Sequence, residues 1–210
     1  SANDTKIVFE PGCRIEALRG SFQGLNDVLI QIFSARNLTI VGYGASLNMW
    51  KEDYLNASLY VVSQFRAGIT VYSTSNFSVF GLTVNSTGGD GLFFGNDPAY
   101  NGGNQVGVHV KDFVADNNNR QGLSFSGGCI DCLIEDSVFA HTYGHDPAFG
   151  IDIEPDSCKG GVLSQCAFVR CTTPVANLHQ PQTRTPSATW SYGTSPRSTI
   201  ATAASSSPRA

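Results

Sequence analysis

One pattern constrains this chain more than any other: a short strand motif that returns in register. Glycine followed by apolar-x-apolar occurs at Gly68-Ile69-Thr70-Val71, Gly91-Leu92-Phe93-Phe94, Gly122-Leu123-Ser124-Phe125 and Gly150-Ile151-Asp152-Ile153. The glycine-to-glycine steps are 23, 31 and 28 residues. A second anchor, Asn76-Phe77-Ser78-Val79, aligns with Val108-His109-Val110, Cys132-Leu133-Ile134 and Gly161-Val162-Leu163. Val79 to Gly91 and Val110 to Gly122 both span 12 residues, whereas Ile134 to Gly150 spans 16, which marks a four-residue insertion within His141 to Ala148.

Each strand alternates apolar with variable residues, the period-two signature of a strand buried on one face. A unit this short cannot bury its inner face alone, so copies must stack. The expected fold is therefore all-β: a right-handed parallel β-helix over residues 1–175. Ile7 to Phe9, Val28 to Phe33 and Asn37 to Val41 read as its first strands, and a longer excursion surrounds Lys51 to Leu59. Leucine-rich repeats are excluded because no L-x-x-L-x-L series occurs. A sandwich or jelly roll explains the strands but not the constant register.

Composition agrees. Glycine is abundant at 22 residues and methionine occurs once, which suits tight turns more than long helices. No apolar run is long enough to span a membrane. The chain opens Ser1-Ala2-Asn3 without a methionine and reads as processed or partial, with an extracellular, secreted location expected. Charge is uneven: residues 176–210 hold Arg184, Arg197 and Arg209 and no acid, leaving a net of −7 on residues 1–175. An acidic body argues against a nucleic-acid partner but not against an anionic polysaccharide, because local arginines can outweigh net charge. Oligomeric state is not legible.

Residues 176–210 hold 13 Ser or Thr and four Pro with no strand period, so they are expected to be a disordered tail. They read either as a glycosylated stalk or as the product of a truncated or frame-shifted gene, because a β-helix needs a cap over its open end. N-x-S/T sequons occur at Asn37, Asn56, Asn76 and Asn85, among others. Asn37 and Asn76 open strands at matching repeat positions, which favours a turn role over a glycan.

Among six cysteines, Cys129 and Cys132 form a C-x-x-C, but no second pair or histidine cluster completes a zinc site. Cys129 and Cys158 each precede a strand anchor by five residues, so a Cys129–Cys158 disulfide between adjacent coils is a candidate, with unoxidised stacked cysteines the alternative.

The segments Gly88 to Leu92 (GGDGL), Asn119 to Phe125 (NRQGLSF) and Gly150 to Asp156 (GIDIEPD) give the repeat region a resemblance to the pectin-lyase-like superfamily of β-helix proteins. That resemblance implies secreted lyases, hydrolases or epimerases of acidic polysaccharides, or tailspikes and adhesins. The N-T-D, D-D, G-H-G and R-I-K motifs of polygalacturonases are absent in that form. Tyr143-Gly144-His145-Asp146-Pro147 matches part of an alginate-epimerase Y-G-x-D-P-H-D run, but Ala148 and Phe149 replace its last two residues.

The register also predicts a site. Taking each glycine as zero, positions +1 and +3 are apolar and should point inward, while −2, +2 and +4 should point outward. That outer face carries Asp152, Glu154, Arg66 and Arg120, with Ser124, Phe93 and Tyr72 on it and Asp90 at its rim. Asp152 and Glu154, two apart on a strand, should lie roughly 7 Å apart, near the lower edge of the separation in inverting glycosidases. Asp152, Glu154, Arg120 and His145 are the candidate catalytic residues, by hydrolysis or by β-elimination with an arginine holding a uronate carboxylate. Arg66, Asp90, Phe93, Ser124 and Tyr143 are the candidate substrate-binding residues. No cofactor is required, although Asp90, Asp152 and Glu154 could supply oxygen ligands to Ca²⁺. The competing readings are a solvated acidic strand face, a non-catalytic carbohydrate-binding solenoid, and an inactive fragment of a longer enzyme.

Overall fold

A computed structural model describes residues 3–96, 104–154 and 163–173, together with the backbone of Ala176–Leu178, Ala188–Trp190 and Ala203–Ser205. Successive strands go to three sheets in turn, and every pairing within those sheets is parallel. The first sheet stacks β1 (Asn3–Val8), β4 (Arg36–Val41), β7 (Ser75–Phe80), β10 (Gln105–Lys111), β13 (Cys129–Glu135) and β16 (Leu163–Val169). The second stacks β2 (Arg14–Glu16), β5 (Ser46–Asn48), β8 (Thr83–Asn85), β11 (Val114–Asp116) and β14 (Val138–Ala140). The third stacks β3 (Ile30–Phe33), β6 (Ile69–Tyr72), β9 (Leu92–Gly95), β12 (Leu123–Phe125), β15 (Ile151–Ile153) and β17 (Ala176–Leu178). This is a parallel β-helix.

The interior follows from the period-two pattern. Ile69, Val71, Leu92, Phe94, Leu123, Phe125, Ile151 and Ile153 are at most 1% exposed, as their inward positions require. They join one core with Phe77, Val79, Phe113 and Phe139. Rings repeat from coil to coil: Phe94 stacks on Phe125 at 4.5 Å between centroids, and Phe125 meets Phe168 edge-on at 6.4 Å. Offset stacking of this kind adds to the burial of the rings themselves.

Left-handed residues recur at fixed points of the coil. Asp4, Asn37, Asn76, Gly107, Asp131 and Gln165 occupy one column of the first sheet, with φ between 50° and 68°. At each, the strict alternation breaks: two successive residues face outward before the inward pattern resumes, and the one-to-one pairing is kept. Asparagine and aspartate tolerate this backbone best among residues with a Cβ. Their side chains also form a ladder: Asn76 donates to Asn37 at 2.8 Å and Asn37 to Asp4 at 2.6 Å. Asn37 and Asn76, expected in turns, lie inside β4 and β7 with left-handed backbone, and their side chains bond along the column rather than to the local backbone.

One expectation needs correction. Cys132-Leu133-Ile134 pairs with Cys166-Ala167-Phe168, not with Gly161-Val162-Leu163; Leu163 instead lies beside Cys129. The expected register was five residues early because Gly161-Val162-Leu163 resembles a strand opening more than Cys166-Ala167-Phe168 does. β17 pairs with β15, and β18 (Ala188–Trp190) pairs antiparallel with β19 (Ala203–Ser205). The rest of residues 176–210 lies outside the described residues.

Two excursions leave the second-to-third-sheet corner, residues 17–29 and 49–68, the latter carrying the short helix α1 (Lys51–Leu55). Arg66 ties them together. Its guanidinium donates to the carbonyls of Phe22 at 2.8 Å, Gln23 at 3.3 Å and Val61 at 2.9 Å, and lies over the rings of Tyr54 and Tyr60.

Candidate functional site

The outer face of the third sheet carries one row of paired residues: Gln31, Thr70, Phe93, Ser124 and Asp152. A second row begins Phe33, Tyr72, Gly95. Phe33 stacks on Tyr72 at 4.9 Å, and Tyr72 lies 5.8 Å from Phe93. Gly95 is required there, because a Cβ would come within 2.5 Å of the Phe93 ring and 2.7 Å of the Tyr72 ring. The result is a half-buried aromatic surface spanning three coils.

Asp90 stands at the edge of this surface, in the turn before β9, and is only 3% exposed. Its Oδ2 accepts from Ser124 Oγ at 2.6 Å and from an Arg120 nitrogen at 3.4 Å. Its Oδ1 is buried with no hydrogen-bond partner among the described residues. Burial pushes the carboxyl up to about 6, while the Arg120 charge, the Ser124 hydroxyl and the Gln121 backbone amide pull the other way. Asp90 lines a pocket of about 120 Å³ together with Thr70, Tyr72, Phe93, Gln31 and Phe65. An under-bonded carboxyl that titrates near neutrality beside a pocket is the arrangement found in proton-transfer sites.

Asp152 lies one strand from Ser124 on the same row. It is 1% exposed, and its Oδ2 accepts from Gln121 Nε2 at 2.6 Å. Gln121 Oε1 accepts from the Phe149 amide at 2.9 Å, which fixes the amide's orientation. Glu154 is exposed, and its amide continues the pairing by donating to Phe125 at 2.8 Å. The expected solvent-facing pair is thus one covered carboxylate and one exposed one.

The structure therefore brings Asp90, Arg120, Ser124 and Phe93 together, with Asp152 one strand away. It does not bring the other candidates to them. Arg66 sits at an outward position by register, but it is 0% exposed and its Nε and Nη2 donate to backbone carbonyls, so it holds the excursions rather than a ligand. The insertion folds over the turn of the preceding coil: the Tyr143 amide donates to Asn118 at 3.1 Å and the His145 amide to Asn119 at 2.9 Å. Tyr143 then reaches away from the pocket, donating its hydroxyl to Glu52 of α1 at 2.6 Å. Among the described residues the His145 ring makes no hydrogen bond or ion pair with Asp90, Arg120 or Glu154. Nor do Asp90, Asp152 and Glu154 form a trio with oxygens within 4.8 Å of one another; the one trio of His, Cys, Asp or Glu side chains that close among the described residues is Cys129, Cys132 and Cys166.

Three features had little sequence signal. Gln121, beside the register glycine, carries the Asp152 contact. Tyr72 and Phe33 become a surface only once coils stack. Lys51, in the excursion, is 1% exposed, and burial lowers its amine to about 8 against the opposing charges of Glu52 and Asp116. It donates to Asn117 Oδ1 and the Asn118 carbonyl and lies over the Tyr143 ring, pinning the insertion.

Cys129 is bonded to Cys132, and the left-handed Asp131 between them puts both on the inner face. The register that suggested Cys129–Cys158 does not hold, since Leu163 stacks on Cys129; Cys158 itself lies outside the described residues.

The fold and site together define a parallel β-helix with a pocket on one outer face, lined by a buried acid that an arginine outside the pocket contacts. No protein-family model, curated protein or solved structure matches the chain.

Proposed function

We propose that this is a secreted, carbohydrate-active β-helix protein of the pectin-lyase-like kind, acting on an acidic, uronate-containing polysaccharide. The observation that carries the reading is Asp90: a buried carboxyl raised to about 6, one oxygen unbonded, touching Arg120 and Ser124 at the rim of an aromatic pocket. Phe93 and Tyr72 offer ring faces for a sugar, and Arg120 offers a guanidinium for a uronate carboxylate.

Two reactions use these groups. In β-elimination, ionised Asp90 takes the proton next to the uronate carboxyl, and Arg120 stabilises the charge that develops there. In hydrolysis, protonated Asp90 gives its proton to the leaving oxygen, and Asp152, one strand from Ser124, activates water. The pH dependence separates them. An eliminating enzyme gains activity as pH rises through about 6, and a hydrolase with Asp90 as acid loses activity over the same interval.

The test is a panel of uronate-containing polysaccharides assayed in parallel for unsaturated sugar ends and for reducing ends. Product that disappears in Asp90→Asn supports the reading. Product that survives Asp90→Asn and Arg120→Ala rules out this site. Measurable binding without any product favours a non-catalytic carbohydrate-binding solenoid.

A further inference from the structure

The three cysteines inside the coil belong to a different place and a different chemistry. Cys129 and Cys132 lie on β13 and are bonded to each other. Cys166 lies on β16, directly paired with Cys132, and is a free thiol. Exposures are 0%, 2% and 2%, and the three sulfurs lie within 4.8 Å of one another. The Cys166 thiol also donates to the Cys129 carbonyl at 3.4 Å, which holds it against the strand that carries the disulfide. A C-x-x-C that lacked a partner in the sequence thus receives a third sulfur from the next coil.

We propose that Cys129, Cys132 and Cys166 form an internal thiol–disulfide exchange centre that moves one disulfide between a position within β13 and a position bridging β13 to β16. The Cys166 thiol gives its proton to solvent base, and the thiolate attacks Cys132 Sγ. The Cys132–Cys166 bond forms as the Cys129–Cys132 bond breaks, and Cys129 leaves as a thiolate that takes up a proton. One thiol and one disulfide are present before and after, so no oxidant or reductant is consumed.

The fold supports both ends of the exchange. Paired strands stand about 4.7–4.9 Å apart, inside the Cα separations that disulfides span. The bond within β13 closes a sequence separation of 3, whereas the bridging bond ties residues on two different coils. Longer closed loops constrain the unfolded chain more, so the bridging isomer is the more stabilising one in the chain-entropy account. β16 is the end strand of the first sheet among the described residues, so the bridge would clamp that coil to its neighbour. Burial raises the Cys166 thiol to about 11, which makes the exchange slow at neutral pH and faster as pH rises.

The experiment uses the folded, oxidised chain, held at several pH values from about 7 to about 10, below the Cys166 thiol's range. Samples are quenched in acid, unfolded, alkylated and digested with trypsin without reduction. Residues 121–159 carry Cys129, Cys132 and Cys158, and residues 160–170 carry Cys166. The expected result is a disulfide-linked pair of these two peptides that forms about tenfold faster per pH unit. Fragmentation should place the link on Cys132; Cys158→Ser should leave it, and Cys166→Ser should remove it. Full alkylation of Cys166 at every pH, with Cys129–Cys132 retained, would overturn the proposal. So would equally fast linkage in the unfolded chain.

Discussion

The outer faces of the first and third sheets carry the same kinds of residue and treat them in opposite ways. On the first sheet, Glu135 and Asp136 meet Lys111, His109 and Arg170. Hydrogen bonds from those partners hold both carboxyls below their ordinary range: His109 chiefly for Glu135, and Arg170 followed by Lys111 for Asp136. On the third sheet, Asp90 has one arginine at 3.4 Å and one hydroxyl, lies buried, and is raised. Acids and bases on a strand face say little by themselves. What separates a solvated ion-pair network from a poised group is burial combined with incomplete pairing.

The sharpest break of this comparison is Asp90→Asn. Activity on the proposed uronate polysaccharide should fall by about 10²–10⁴, the usual range for losing a proton-transfer group. Stability at neutral pH should move the other way. Because the folded carboxyl is raised, its charged form is disfavoured in the fold, so its penalty is present above about 6 and fades as pH falls through that value. Removing the charge should therefore stabilise the chain at neutral pH by up to about 3 kcal/mol, and by little at pH 4, as read from denaturant melts. Glu135 and Asp136 carry the opposite sign: their contribution is present above the ordinary carboxylate range and is lost as pH falls through their lowered values.

Arg66→Ala comes next. It removes a fully buried side chain, leaves the carbonyls of Phe22, Gln23 and Val61 without their donor, and should cost about 3 kcal/mol in urea unfolding. Arg66→Lys should recover only part, since one ammonium cannot reproduce the guanidinium fork. Tyr72→Ala should weaken polysaccharide binding by about tenfold in a direct titration, the worth of one aromatic contact. The smallest effect is expected from Asp136→Asn, which should leave polysaccharide cleavage unchanged and alter the melting temperature only at low salt.

The coil repeat was legible because strand alternation and glycine spacing are local properties of the chain. Gly68, Gly91, Gly122 and Gly150 mark the third sheet, and the residues at +1 and +3 are the core. The register failed only at β16, where Gly161-Val162-Leu163 has the stronger strand look but Cys166-Ala167-Phe168 takes the pairing. The site was legible as a face. Asp90, Arg120, Ser124 and Phe93 were all named from register, because residues at equal offsets must stack. Their roles were not, because an offset states direction and not exposure. Outward at Thr70, Ser124, Arg66 and Asp152 did not mean solvated.

By itself, then, the sequence determined the parallel β-helix, its inner face and the outer row where the pocket lies. These follow from period two and from the need of short strands to stack. Only the tertiary structure decided that Asp90 rather than Asp152 holds the under-bonded oxygen, that Tyr143 leans onto Glu52, and that Cys166 meets the C-x-x-C. Those outcomes depend on how excursions and corners from distant coils cover one another, and desolvation and pairing at that scale leave no periodic trace in the chain.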